Sequence, residues 1–172
     1  AGLAQDLRWK AALDEFLRSA TSGPSSAARR IRIPRYQVAP FITADTSTMA
    51  QPAYLLTSER LGFRPFEDAD FPDLERLDMD PEVRAHFPDG ISTPAEINAR
   101  IARGKRSMET NGYAEFAVIE LATGRFAGRA GFGLIEDGEI EVGYVFLKEF
   151  WGHGLAQESL RALLTWAKEN LR

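Results

Sequence analysis

The residues best suited to chemistry gather between Glu139 and Leu171, EIEVGYVFLKEFWGHGLAQESLRALLTWAKENL. An alternating run that opens with Glu139 and Glu141 leads into Trp151, Gly152, His153, Gly154, Leu155 and Ala156, where small residues precede a helical pattern. A glycine-bearing turn of this kind leaves backbone N–H groups without partners at a helix N-terminus, and the helix dipole adds partial positive charge there. Phosphate and other anions bind at such a turn. The upstream carboxylates offer a general base, taking a proton directly or through a water. They also fit an ordinary reading as solvated or salt-bridged strand residues.

Positioning these groups requires a strand, a turn and a helix in that order. On the strand, side chains alternate, so Ile140, Val142, Tyr144 and Phe146 share a face that reads as core. Glu139, Glu141, Gly143, Val145 and Leu147 share the other, and the glycine leaves room for something to lie against the sheet. Tyr144 is thereby expected to pack rather than to donate a proton. After the turn, Leu155, Leu160, Leu163, Leu164, Ala167 and Leu171 form the apolar stripe of a helix that packs back over the sheet. Tyr113–Leu121, Phe126–Glu136 and Glu139–Leu147 read as a three-strand meander, with Asp137-Gly138 as a hairpin turn. Gly128, Gly131 and Gly133 in its middle strand fit either the close approach of a backbone or ligand, or a bulge.

Earlier in the chain, Leu55–Phe66 reads as a strand with a proline-marked end. Glu67–Asp78 carries Ala69, Phe71, Leu74 and Leu77 at helical spacings. Asp80 and Pro81 start a short helix to Phe87. Thr93, Pro94 and Glu96 start a longer one, whose apolar side is Ile97, Ile101 and Met108 and whose end is Asn111-Gly112. The spacing of Leu3, Leu7, Leu13, Phe16, Leu17 and Ala20 predicts an amphipathic helix over residues 3–20. A Ser-, Gly- and Pro-containing break follows, then a segment with Arg29, Arg30, Arg32 and Arg35 and no acid, which includes a candidate strand at Ile31–Ile42. Residues 1–48 are thus expected to be an N-terminal helix plus basic linker or extension, and residues 49–172 the patterned domain. A targeting piece or basic arm is one reading of the arginines; a solvated linker is the other.

Composition limits what these elements can serve. A chain of 172 residues with 44% hydrophobic and 27% charged content supports one domain with a real core plus an appendage. The net charge of −4 lacks the basic footprint of a nucleic-acid-binding protein, so an anion site must be local. Without cysteine there is no disulfide framework, thiolate zinc site or cysteine nucleophile, which fits a reducing compartment. His86 and His153 alone argue against a histidine metal centre, so no metal is expected. No apolar run approaches the roughly 20 residues of a membrane helix, and residues 1–20 lack a secretion signal. The expectation is a cytoplasmic protein with no membrane partner.

Three segments in order, TSERLGFRPFEDAD, DPEV and EVGYVFLKEFWGHGLAQESLRALL, resemble the GNAT superfamily of acetyl-coenzyme A dependent N-acetyltransferases, most closely the RimJ and RimL type. The likeness runs from Leu55 to Arg172. It implies an α/β (α+β) fold with a mixed, mainly antiparallel sheet flanked by helices. Family members continue past the last helix into further strands, so the likeness also implies a truncated form. The strands it lacks carry the far side of the cofactor cleft and often a tyrosine general acid, and no residue here takes those places.

The implied reaction is transfer of an acetyl group from acetyl-coenzyme A to a primary amine, a protein N-terminus or a small molecule, by direct attack. The family's pyrophosphate loop reads Gln or Arg, two residues, Gly, one residue, then Gly or Ala. Gly154 and Ala156 match it across Trp151, Gly152, His153, Gly154, Leu155 and Ala156; Trp151 departs, removing a side-chain donor but no amide. His153 takes a variable place. The pantetheine arm is implied to pair with the backbone of Val145, Phe146 and Leu147 like an added strand, and an N–H near Phe146 to hold the thioester carbonyl and its oxyanion. Glu141 is the candidate base and Glu139 the fallback. Neutralising an α-amine of pKa about 8 near pH 7 costs only about 1 kcal/mol, whereas a lysine costs roughly 4 to 5, so a lysine acceptor demands the better base. The alternatives are a catalytically impaired coenzyme A-binding protein and an oligomerising module. A bare sheet edge would favour association, as a homo-oligomer or by strand exchange, and residues 1–48 would fill the gap by rearranged connectivity or from another chain.

Overall fold

The computed structural model describes residues 28–33, 54–85, 87–134 and 140–171, with only the backbone described for residues 28–33. The amphipathic pattern of residues 3–20, most of the Ile31–Ile42 stretch, His86, the Asp137-Gly138 turn and Glu139 lie outside the described residues.

The described strands are β1 (Ala28–Ile33), β2 (Leu56–Thr57), β3 (Leu61–Arg64), β4 (Glu115–Glu120), β5 (Phe126–Leu134) and β6 (Ile140–Phe146). They form one sheet in the order β1-β6-β5-β4-β3-β2, with every neighbouring pair antiparallel. The helices are α1 (Phe71–Asp78), α2 (Pro81–Arg84), α3 (Pro94–Asn111) and α4 (Leu155–Asn170).

The meander β4-β5-β6 follows the alternating patterns. Phe116, Val118, Ala130, Phe132, Val142, Tyr144 and Phe146 are buried on the face that α4 covers. Phe132 and Trp166 of α4 stand with ring centroids 5.5 Å apart. All six stripe positions, Leu155, Leu160, Leu163, Leu164, Ala167 and Leu171, are buried, and so is Tyr144. Helix starts are set by local chemistry. The Asp80 carboxylate accepts from Glu82 N at 2.8 Å, and Thr93 and Glu96 form a reciprocal capping box at the head of α3. Gly112, left-handed at φ 69°, ends α3. Helices α1 and α3 pack on each other, and the cavity between α3 and the sheet lies on the face opposite α4.

Two expectations change. The single strand Leu55–Phe66 is a hairpin of β2 and β3. Ser58 N donates to Leu61 O at 2.8 Å and Leu61 N donates to Ser58 Oγ at 3.2 Å, so the serine closes a turn with Arg60 inside it. The basic segment, in turn, begins a strand earlier than Ile31 and lays it along the outer edge of β6 in the same chain, from Ala28 opposite Val145 to Ile33 opposite Ile140. Over those residues β6 has no bare edge.

The middle-strand glycines divide. A Cβ on Gly128 would stand 2.1 Å from Val145 O and one on Gly131 2.3 Å from Ala114 O, whereas one on Gly133 would meet nothing within 4 Å. Close backbone approach thus explains the first two. A bulge is present as well, where the β4–β5 register shifts between Val118 and Ile119.

Candidate functional site

From the end of β6 the chain makes a single 3-10 turn, Lys148–Phe150, then the loop Trp151–Gly154, and enters α4 at Leu155. Gly152 and Gly154 have φ of 77° and 76°, and Gly154 is the N-cap of α4. Both sit where a side chain is disfavoured by the backbone itself. The helix ladder begins with Glu158 N donating to Gly154 O at 3.1 Å, so the N–H groups of the preceding turn receive no intrahelical carbonyl. Leu155 is core and contributes only its backbone to this surface. Ala156 is half-buried and His153 exposed.

The loop is held at both ends. The Trp151 indole N–H donates to Phe146 O at 2.8 Å, so the residue that departs from the family pattern fastens the loop to β6. From the β2–β3 turn, Arg60 Nη1 donates to His153 O at 3.0 Å while its Nε donates to Glu158 Oε2 at 2.7 Å. Glu158 also accepts from Ser58 Oγ at 2.7 Å and from Arg60 N at 2.8 Å. Burial pushes the Glu158 carboxyl up, but these donors outweigh it and hold its pKa below the ordinary value. The acid in the first turn of α4 is therefore neutralised by Arg60 rather than left facing the loop. A cavity of about 580 Å³ opens beside this clamp, lined among others by Arg60, Gly154, Gln157 and Arg161.

Of the three strand positions Val145, Phe146 and Leu147, alternation distinguishes one. Leu147 N donates to Ala127 O at 3.0 Å, so Leu147 and Val145 direct their backbone groups toward β5, and Phe146 directs its own away from it. The described β1 register stops at Val145, one residue short of Phe146. The Phe146 amide therefore faces the side of β6 on which β1 lies, one residue beyond the described register. Its side chain is buried in the core.

On the opposite side of the sheet, the half-buried Glu141 lines a cavity of about 450 Å³ between α3 and the strands. Its wall is part of a charge network that local patterns did not reveal, since Arg100, Glu115 and Arg129 line the cavity. Buried Asp78 accepts from Arg129 Nη2 at 2.9 Å and has Arg84 at 3.7 Å and Arg100 at 3.3 Å. Glu115 pairs with Arg100 at 3.0 Å and with Arg129. Burial raises the Glu115 carboxyl, but Arg129 and Arg100 reverse this and hold it at about 2. Burial likewise lowers the Arg129 guanidinium, and Glu115 and Asp78 more than compensate.

The sequence-predicted residues therefore fall into two groups. Phe146, Trp151, Gly152, His153 and Gly154 come together with Leu155 and Ala156 at the β6-to-α4 connection, and Glu141 lies on the α3 side with Gly143. Arg60, Ser58 and Glu158 were missed as site residues although TSER belongs to the quoted pattern, because their partners lie 93 to 100 positions away. Among the described residues no group of His, Asp and Glu is arranged to hold a metal ion, and no helix is long and apolar enough to cross a membrane.

Residues 60–172 match the family profile described as an acetyltransferase (GNAT) domain. YkkB of Bacillus subtilis, described as uncharacterized, is 30% identical over 115 residues, 64% of this chain and 66% of the relative, just under two thirds of its length. Among solved structures, an acetyltransferase from Agrobacterium tumefaciens superposes with a TM-score of 0.58 at 23% identity, over 74% of this chain and 72% of that one. A GNAT-family acetyltransferase from Bacillus anthracis gives 0.54 at 23% identity, over 66% of each chain. RimL, a ribosomal L7/L12 alpha-N-protein acetyltransferase in complex with coenzyme A, gives 0.50 at 22% identity, over 65% and 66%. These likenesses establish a shared fold.

Proposed function

We propose that this chain, which belongs to the GNAT acetyltransferase family, transfers an acetyl group from acetyl-coenzyme A to a primary amine. The observation that carries the reading is the loop Trp151–Gly154, in which two left-handed glycines open α4 one 3-10 turn after the end of β6. Pyrophosphate oxygens are bound by the N–H groups of Gly154, Leu155 and Ala156, with the α4 dipole behind them. Gly152 and Gly154 admit that approach: a Cβ on Gly152 would meet nothing within 4 Å, and one on Gly154 only Arg60 Nη2 at 3.8 Å. The open space around them is the cradle a phosphate needs. That RimL, a protein of this fold, occurs in complex with coenzyme A supports the same ligand here.

The pantetheine arm then runs toward Phe146, whose outward amide receives the thioester carbonyl and stabilises the oxyanion as the amine attacks. The C–N bond forms, the C–S bond breaks, coenzyme A leaves as the thiolate, and the amine proton passes to Glu141 directly or through a water. The acceptor is a protein N-terminus or a small-molecule amine, the RimJ and RimL likeness favouring the former and the modest volume of the cleft, about 450 Å³, the latter.

A coenzyme A-binding protein with impaired turnover is the second reading. It is favoured by β1, whose described residues lie along the β6 edge from Ile140 to Val145, where an added strand would otherwise pair. Incubation with acetyl-coenzyme A and a panel of amines, read by mass spectrometry, separates the two. Acetylated product that falls at least about tenfold in rate in Glu141→Gln supports transfer with Glu141 as base. Thermal stabilisation by acetyl-coenzyme A without product supports binding alone, and absence of both contradicts the site.

A further inference from the structure

The cavity between α3 and the sheet has a charge opposite to that of the chain around it. Its floor is bare backbone: Gly131 and Gly143 are cross-strand partners, and Gly133 is opposite Glu141. Along the α3 wall stand Arg100, Arg103 and Arg106, at three-residue spacing and therefore on one side of the helix. Beneath them, Asp78 and Glu115 are shared among Arg84, Arg100 and Arg129, two carboxylates against three guanidiniums. Arg100 Nε and Asp78 Oδ2, 3.3 Å apart, are both buried without a hydrogen bond, so they meet as an ion pair only. Arg103 and Arg106 are exposed and make no ion pair among the described residues. The cavity thus has surplus positive charge in a chain of net charge −4. Two carboxylates line it from the strands, Glu115, paired with Arg100 and Arg129, and Glu141.

We infer that this cavity takes the acceptor, and that the acceptor is a small primary amine carrying an anionic group, a carboxylate or a phosphate, at the end away from the amine. The inference rests on the acetyl-transfer reading for the position of the amine. The ammonium end is attracted to Glu141, which takes its proton, while the anionic end meets the α3 arginines. Guanidinium forks match carboxylate and phosphate oxygens in pairs. A polycationic acceptor would meet like charge and be rejected. The volume, about 450 Å³, suits a small molecule seated in an open cleft.

Equilibrium titration of the intact chain, with and without coenzyme A, tests this using γ-aminobutyrate, aminopropylphosphonate and butylamine. At least one anionic amine should bind about tenfold or more tightly than butylamine, and the preferred one identifies the headgroup as carboxylate or phosphate-like. The double variant Arg103→Ala, Arg106→Ala, at exposed positions, should weaken the anionic amine by about tenfold and leave butylamine and acetyl-coenzyme A binding unchanged. Raising ionic strength should weaken only the anionic amine. Equal binding of butylamine, binding of neither anionic amine, or wild-type affinity in the double variant would overturn the inference. Failure of the acetyl-transfer reading has a different signature, loss of any response to acetyl-coenzyme A with the anion preference intact.

Discussion

Replacing Gly154 by alanine separates the strain of the loop from the approach of its ligand. At φ 76° the residue lies in the left-handed region, where a Cβ costs about 1–2 kcal/mol. In the free chain that Cβ would meet nothing closer than Arg60 Nη2 at 3.8 Å, an ordinary contact, so no steric term adds to the backbone cost. For a chain of this length the melting temperature should fall by roughly 3–6 °C. The effect on ligand is larger than this strain predicts, because the methyl group occupies the space through which phosphate oxygens reach the amides. Losing one charge-assisted hydrogen bond of about 1.5–3 kcal/mol weakens acetyl-coenzyme A at least about tenfold. Stabilisation by ligand at about 100 times the wild-type Kd should then drop from about 2.7 to about 1.4 kcal/mol. Gly90→Ala is the control, since it has comparable strain at φ 66°, a Cβ there would meet nothing within 4 Å, and it lies outside the phosphate loop. Thermal unfolding with and without acetyl-coenzyme A reads both effects. Equal ligand-induced shifts in wild type and Gly154→Ala, alongside the expected loss of stability, would refute the placement of the phosphates.

Arg60→Ala removes the donor to His153 O and uncovers Glu158 at the head of α4. Because Arg60 is half exposed, stability should change by only about 1 kcal/mol, whereas coenzyme A affinity should fall about five- to tenfold by calorimetry and recover in part with Glu158→Gln. Glu115, held at about 2 against an ordinary 4.5, contributes stability that is full above the ordinary value and lost as pH falls through 4.5 toward 2. The contribution is on the order of 3 kcal/mol. Glu115→Gln should therefore be less stable than wild type near neutral pH and lose less on acidification over that range, as denaturant melts at several pH values will show. Gly128→Ala forces a methyl group to within 2.1 Å of Val145 O, so the β5–β6 ladder must separate; a stability loss above about 3 kcal/mol is expected, and a loss under 1 would contradict the register.

What could be read from the sequence was local. The α4 stripe, the Thr93–Glu96 capping box and the alternating meander each arise from interactions within a few residues, and each stands in the structure where periodicity placed it. The loop glycines were legible because positive φ and close approach demand that residue type. Partners distant in the chain were not. Arg60 meets Glu158 across 98 positions and Arg129 meets Asp78 across 51, and neither residue's neighbours betray the contact. The Leu55–Phe66 hairpin was hidden because apolar residues on both sides of Ser58 and Arg60 imitate one strand, while the closing bonds come from a serine side chain. In the basic segment a strand was legible from Ile31, but its start at Ala28 and its partner were not, because both are set by pairing with β6. For the same reason Glu141 could be placed on a face, but not in a cavity walled by α3.

The central claim is that the amides at the start of α4 and the end of β6 hold the two ends of one ligand. Amide chemical-shift mapping during titration with acetyl-coenzyme A tests it directly. The account predicts that the largest shifts fall on Gly154, Leu155, Ala156 and Gln157 and on Phe146, with small changes along β2 and the outer face of α3. Binding that leaves those amides unmoved and shifts another surface would contradict it.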